Sequence, residues 1–295
     1  MYKIIDLQFL GAEDTIAAFV VDTNAGAVLI ESGPHSTFPV LEKALQLAGY
    51  QVNDIKHVLL SHIHFDHAGA AWCFAEHGAM IHVHPAGAKH LVSPEKLYNS
   101  AKMIYGDMME QLWGSMNPIP EDQIQTPAHG EVITIGEKAF TAWHTPGHAI
   151  HHIAWQLEDV LFTGDVAGVK IETGVVMPPC PPPDINIEDW QASIKLMKSL
   201  TIKELVLTHF GTITAVKEHL DALEGELLAW ANWIKPYFDA QTPQETIIPL
   251  FQDFVANRLA ANGIAAVDIP KYEKANPAFM SVAGLMRYWK KKIVV

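Results

Sequence analysis

The chain has 295 residues, a net charge of −13 at pH 7 and a pI of about 5.6, with 49% hydrophobic and 18% charged residues. This is the composition of a globular chain with a large core, not a disordered one, and its acidic surface repels nucleic acid. There is no uncharged apolar run of about 18 residues to span a membrane, and the two cysteines, Cys73 and Cys180, offer no disulfide framework, so a reducing, cytoplasmic setting is expected.

The N-terminal stretch MYKIIDLQFL alternates like a strand and carries Asp6, unlike a secretory signal. Strands are expected over 3–9, 15–21, 27–31 and 56–60. A helix is expected over 37–49, with Ser36 or Thr37 placed to cap it and Gly49 to end it. The apolar run 57–60 leads directly into SHIHFDHAG, residues 61–69. Imidazoles two apart at a strand end, His62 and His64, point to one side. The following turn can bring Asp66 and His67 round the same cavity. Imidazole nitrogen and carboxylate oxygen are zinc and iron ligands, and four such groups this close repel without a cation between them. With 16 histidines in the chain, an isolated one means little; an HxHxDH array after a strand means metal.

A strand at 80–83 leads to a short helix near 86–91. Residues 93–125 then interrupt the scheme with an insertion rich in methionine and aromatic residues. At helical spacing Tyr98, Met103, Tyr105, Met109 and Trp113 would share a face suited to an apolar, adaptable substrate group. Strand-like runs return at 132–135, 140–144, 153–157 and 160–164, followed by a helix over 187–200 and a strand at 204–209. Five prolines in VVMPPCPPPDIN (175–186) favour a rigid extended loop that helps shape a pocket; Cys180 within it reads as a small buried residue, not a nucleophile. From 215 the chain turns helical, over 215–240, 244–263 and 276–292. Two sheets with outer helices make an α/β sandwich of four layers, αβ/βα, with the metal loops along one edge and a C-terminal helical extension.

HxHxDH after a short strand resembles the metallo-β-lactamase superfamily, and the rest of that family's pattern follows in order. HTPGHAIHH supplies His148, LFTGDVAG supplies Asp165 and VLTHFGT supplies His209. The resemblance implies a catalytic region over 1–214, the 93–125 insertion lying over its site, and a helical module over 215–295. It implies two divalent metal ions, zinc foremost, with iron or manganese as alternatives. His62, His64 and His148 would hold one ion, Asp66, His67 and His209 the other, and Asp165 would bridge them together with a hydroxide. Where the family usually has Asp in a DxG turn, VLIESGP places Glu31, read as a residue that orients a metal-bound histidine.

The implied activity is hydrolysis of a small ester, thioester or lactone, with Asp66 passing a proton to the leaving group. Phe65, Tyr105, Trp113 and Met177 are candidate substrate contacts. A phosphodiesterase would need a basic clamp, an iron persulfide dioxygenase only one metal, and a non-catalytic binding protein none of the full donor set. Homoserine-lactone hydrolases have a Tyr three residues after the bridging Asp, where this chain has Gly168; glyoxalase II shares the metal set and a helical C-terminal domain. His64 differs from the Glu usual in flavodiiron proteins, and His67 extends the motif beyond that of the zinc β-lactamases. The partner expected is a small molecule, with neither nucleic acid nor membrane, and a homodimer is compatible with the C-terminal helices.

Overall fold

The computed structural model describes residues 1–171 and 174–293. Two six-stranded sheets face each other. The first runs β1 (Tyr2–Asp6), β2 (Ala17–Val21), β3 (Ala27–Ile30), β4 (Ile55–Leu59), β5 (Met80–His82), β6 (Ile124–Gln125) in chain order. The second runs in reverse, from β12 (Gly211–Ile213) through β11 (Glu204–Leu207), β10 (Val160–Phe162), β9 (Ile153–Leu157) and β8 (Lys138–His144) to β7 (Glu131–Ile135).

Strand alternation explains the layering. In β2 every residue is buried, because Ala17, Phe19 and Val21 face the other sheet while Ala18 and Val20 face the helices outside. In β9, Ile153, Trp155 and Leu157 fill the same inter-sheet core, and Ala154 joins the outer one. The first sheet is parallel from β3 through β6 and the second has one parallel pair, β10 and β11, and in each a helix makes a parallel crossover. Phe38–Leu47 connects β3 to β4, and Ile187–Ser199 connects β10 to β11. The second helix buries Ile187, Trp190, Ile194 and Met197 at helical spacing, and the Asn186 side chain caps it by accepting from the Asp189 N–H at 3.2 Å. The carboxyl ends of the parallel strands joined by these two helices open towards one edge, the place where ligands bind in α/β sheets.

The expected 37–49 helix spans Phe38–Leu47, and neither proposed cap acts as one. The Thr37 hydroxyl donates to Pro34 O at 3.0 Å and that of Ser36 to Leu112 O at 2.6 Å, so both side chains tie the preceding 3-10 turn instead. The insertion is not one continuous helix. Glu95–Tyr105 stops at Gly106, whose φ of 54° leaves the helical region, and Met109–Trp113 follows as a separate short helix. Met103 does not share the face of Tyr98 and Tyr105: five residues after Tyr98 the same helix has turned to another side, and Met103 is 83% exposed.

After residue 215 the helices Val216–Asp239, Gln244–Ala261, Ile269–Ala275 and Ala278–Ile293 share one continuous apolar core with the outer face of the second sheet. Among the described residues no helix is long and apolar enough to cross a membrane.

Candidate metal centre

Every residue of the HxHxDH array lies just beyond β4, and His148, Asp165 and His209 follow β8, β10 and β11 of the opposite sheet. Backbone bonds across the sheets fix these ends together: Ala17 N–H donates to Thr208 O at 2.8 Å and Ile153 N–H to Ser61 O at 2.7 Å.

The side chains form two groups. His62 Nε2 and His148 Nε2 lie 2.8 and 3.1 Å from His64 Nδ1. His67 Nε2 and His209 Nε2 each lie 3.5 Å from Asp66 Oδ2. Asp165 stands between the groups. Its Oδ2 is 3.2 Å from His148 Nε2, while its Oδ1 is 3.2 Å from His67 Nε2 and 3.3 Å from His209 Nε2. The sets His62, His64, His148 and Asp66, His67, His209 each bring their donor atoms within 4.8 Å of one another, as does the linking set His62, His67, Asp165.

Outer contacts set which nitrogen faces inward. His148 Nδ1–H donates to Pro179 O at 2.8 Å, and His209 Nδ1–H to Thr15 O at 2.7 Å. His67 Nδ1–H donates to Glu31 Oε1 at 3.1 Å. Each aims its Nε2 into the cluster. Glu31 is buried, accepts also from the Ser61 N–H at 3.2 Å and the Thr208 hydroxyl at 3.4 Å, and has a φ of 63°, an uncommon backbone state for a residue with a side chain.

A divalent cation fits this donor set. His67 Nε2, His209 Nε2 and Asp165 Oδ1 are fully buried without a hydrogen-bond partner among the described residues. Such atoms are costly unless a ligand satisfies them. The protonation pattern says the same. Burial would lower His67 and His209, yet the carboxylates of Asp66 and Asp165 hold His67 well above its ordinary value and His209 up to about 9. Burial, reinforced by neighbouring imidazoles, pushes His62 well down and His64 down to about 3. Burial works to raise Asp66, but His67 and His209 bring its carboxyl net well below the carboxylate range. With no cation present, the carboxylates keep protons on the imidazoles that would otherwise be ligands.

Two supporting residues were not legible as such in the sequence. His152 accepts the Asp165 N–H at Nε2, 3.2 Å away, and its Nδ1–H donates to the Thr145 hydroxyl at 2.8 Å. Gly164, with a φ of 49°, has no room for a Cβ, which would meet Ser61 Cβ at 2.5 Å and His152 Nε2 at 2.7 Å. It lets Asp165 reach the opposite sheet.

Of the four candidate substrate contacts, three come together. The Phe65 ring lies 6.2 Å from Trp113, which lies 5.3 Å from Tyr105. Met177 is not brought to them. It is 1% exposed within the core under the C-terminal helices, and its backbone pairs with Val169. Its burial between sheet and helices explains its apolar character. Cys180 is also fully buried, which pushes its thiol up, out of the range of a nucleophile.

Known proteins resemble this arrangement. Over 175 residues the chain is 30% identical to the metallo-β-lactamase fold-containing protein ST1585 of Sulfurisphaera tokodaii, a match covering 57% of this chain and 66% of that protein. The structure of metallo-β-lactamase family protein TTHA1429 from Thermus thermophilus superposes with a TM-score of 0.65 at 20% identity, covering 99% of this chain and 93% of that one. A B3 metallo-β-lactamase described as the first with an active-site glutamic acid gives 0.57 at 20% identity, covering 77% and 86%. At that identity these two structures speak for the fold alone. The family model for the metallo-β-lactamase superfamily matches residues 12–209, from just before β2 to the last histidine of the cluster, and the chain belongs to that superfamily.

Proposed function

We propose that the protein is a dinuclear metallohydrolase of a small ester, thioester or lactone. The observation that carries this reading is Asp165, which presents one carboxylate oxygen to each donor group. His62, His64 and His148 would hold one ion, and Asp66, His67 and His209 the other. Bound there, zinc or a similar ion supplies Lewis acidity, polarising a carbonyl and lowering the pKa of water towards neutrality.

The chain's own groups do the rest. Glu31, Thr15 and Pro179 O hold the imidazoles in the tautomer that offers Nε2 inward. Asp66 is 20% exposed, whereas Asp165, His67, His148 and His209 are at most 4%. It is therefore the ligand carboxylate open to a substrate, anionic at rest and able to take a proton and deliver it to a departing alkoxide or thiolate. A phosphodiesterase is less well supported, because no Lys or Arg forms an ion pair with any residue of the cluster among the described residues.

The test is elemental analysis of the purified protein followed by a panel of lactones, thioesters, aryl esters, phosphodiesters and β-lactams. Close to two transition-metal ions per chain and turnover confined to carbonyl substrates are expected. Failure to bind metal after reconstitution, or turnover of phosphodiesters alone, overturns the reading.

A further inference from the structure

Beside the metal ligands runs a row of rings that ligation does not use. Phe65 lies between His64 and Asp66 in the chain, so its ring is fixed to the cluster's own loop. From it the row passes to Trp113 at 6.2 Å, then Tyr105 at 5.3 Å, then Phe279 at 6.2 Å. Phe279 is in the first turn of the last helix, Ala278–Ile293. Two segments far apart in sequence, the insertion and the C-terminal helix, therefore meet ring against ring in a row that begins at the ligand loop.

The inner side of the row is core, with Trp113 stacked on buried Phe9 at 5.4 Å and Tyr105 packed against the same cluster as Phe65, but its outer side is not covered. Phe65 is buried, but Trp113, Tyr105 and Phe279 are only half-buried. Among the described residues the Tyr105 hydroxyl forms no hydrogen bond and Trp113 Nε1 is buried without a partner. Tyr105 also feels the cluster: burial raises its phenol, and the negative charge of Asp66 raises it further. Near Tyr105 in the chain, Met103, Ile104 and Met108 are 83%, 48% and 47% exposed.

We propose that Phe65, Trp113, Tyr105 and Phe279 form one wall that selects substrates with a bulky apolar acyl group, and that the Tyr105 hydroxyl donates a hydrogen bond to the bound substrate. This rests on the hydrolase reading and narrows its substrate class. The wall supplies apolar area for the acyl chain, and the phenol, set between the Trp113 and Phe279 rings, supplies a neutral donor for an ester or lactone oxygen. The role of Phe279 makes the last helix part of the binding site.

Two measurements on the metal-loaded full chain test it. The first is kcat/KM for p-nitrophenyl esters from acetate to octanoate and for phenylacetate. In the wild type it should rise about fourfold per added methylene until the wall is covered, the factor expected for full burial of a CH2 group. Phe279→Ala should flatten that rise, and Tyr105→Phe should lower kcat/KM about five- to tenfold at every chain length, the size of one lost hydrogen bond. The second is calorimetric affinity for the matching carboxylates, which reports the wall without turnover. Affinity that climbs with chain length in the wild type and less so in Phe279→Ala supports the wall even where no ester is hydrolysed, in which case the hydrolase reading alone falls. Affinity and turnover indifferent to chain length, or a chain-length dependence unchanged in Phe279→Ala, overturn the wall. A Tyr105→Phe variant equal to the wild type in both measurements overturns the role of the hydroxyl.

Discussion

At the scale of single residues, the centre is a balance of charge held in a dry space. His209 is held up to about 9 by Asp165 and Asp66, against the effect of burial, so it carries a proton at neutral pH when no metal is bound. An incoming cation must displace that proton, and the one on His67. Apparent metal affinity should therefore increase with pH up to about 9, and calorimetry in buffers of different ionisation enthalpy should register proton release on loading. The sign for stability is the opposite. A group whose folded pKa is raised stabilises fully below its unfolded value, about 6.5 for His, and loses that contribution as pH climbs through the folded value. The metal-free protein should thus lose melting temperature between pH 6.5 and 9. A flat melting profile over that range would show that these histidines are not charged. Asp66 gives a second residue-scale prediction. Asp66→Asn keeps a donor oxygen but cannot carry a proton, and turnover should drop by about a hundredfold or more. The loss should be smaller for a nitrophenolate leaving group than for an alkoxide. Equal losses would mean that Asp66 only holds metal.

At the scale of elements, the last helix reaches the cluster through one glycine. A Cβ on Gly284 would sit 1.9 Å from Cys180 O in the proline-rich loop, so only a bare backbone allows the helix to approach. The same loop carries Pro179 O, the acceptor that fixes His148. Gly284→Ala should be destabilising, because overpacking of about 1–3 kcal/mol exceeds the roughly 1 kcal/mol that Ala gains over Gly in a helix. It should also weaken metal binding, by displacing Pro179. Gly225, in the helix Val216–Asp239, faces open space where a methyl group would go, with no atom within 4 Å, and Gly225→Ala should be stabilising by about 1 kcal/mol. Thermal melts of both variants check the contrast, and two shifts of the same sign would refute it. These elements also show what a sequence can disclose. The clustering of the candidate donors is legible because metal chemistry demands several donors in short strings at strand ends. The strands are legible because burial on both faces leaves apolar runs. Gly284, Phe279 and His152 are not, because each acts on a partner brought near only by tertiary packing and leaves no local period. Met103 shows another limit: chemical likeness suggests a place on the aromatic face, but five residues after Tyr98 a helix has turned to a different side.

At the scale of the whole molecule, the two sheets meet over an inter-sheet core that includes Phe19, Phe140, Trp155 and Phe162, with the donor cluster at its edge. Each sheet contributes ligands to both donor groups, His62, His64, Asp66 and His67 from one and His148, Asp165 and His209 from the other. A cation bound there stabilises the folded state by mass action, about 4 kcal/mol at a thousandfold excess over the dissociation constant. Stripping the metal with a chelator should lower the melting temperature by several degrees, at roughly 2–4 °C per kcal/mol for large domains. An unchanged melting temperature, with metal loss verified by elemental analysis, would show that the site contributes nothing to holding the sheets together.

The split of the ligands between sheets also bears on time. Neither half of the chain can assemble a donor group alone, because His148 must reach across to His62 and His64, and His209 to Asp66 and His67. High-affinity capture has to wait until the second sheet has formed and docked on the first, the step that joins residues furthest apart in the chain. During refolding, the disappearance of zinc from a chromophoric chelator would then act as a clock for that final docking, lagging the recovery of secondary structure.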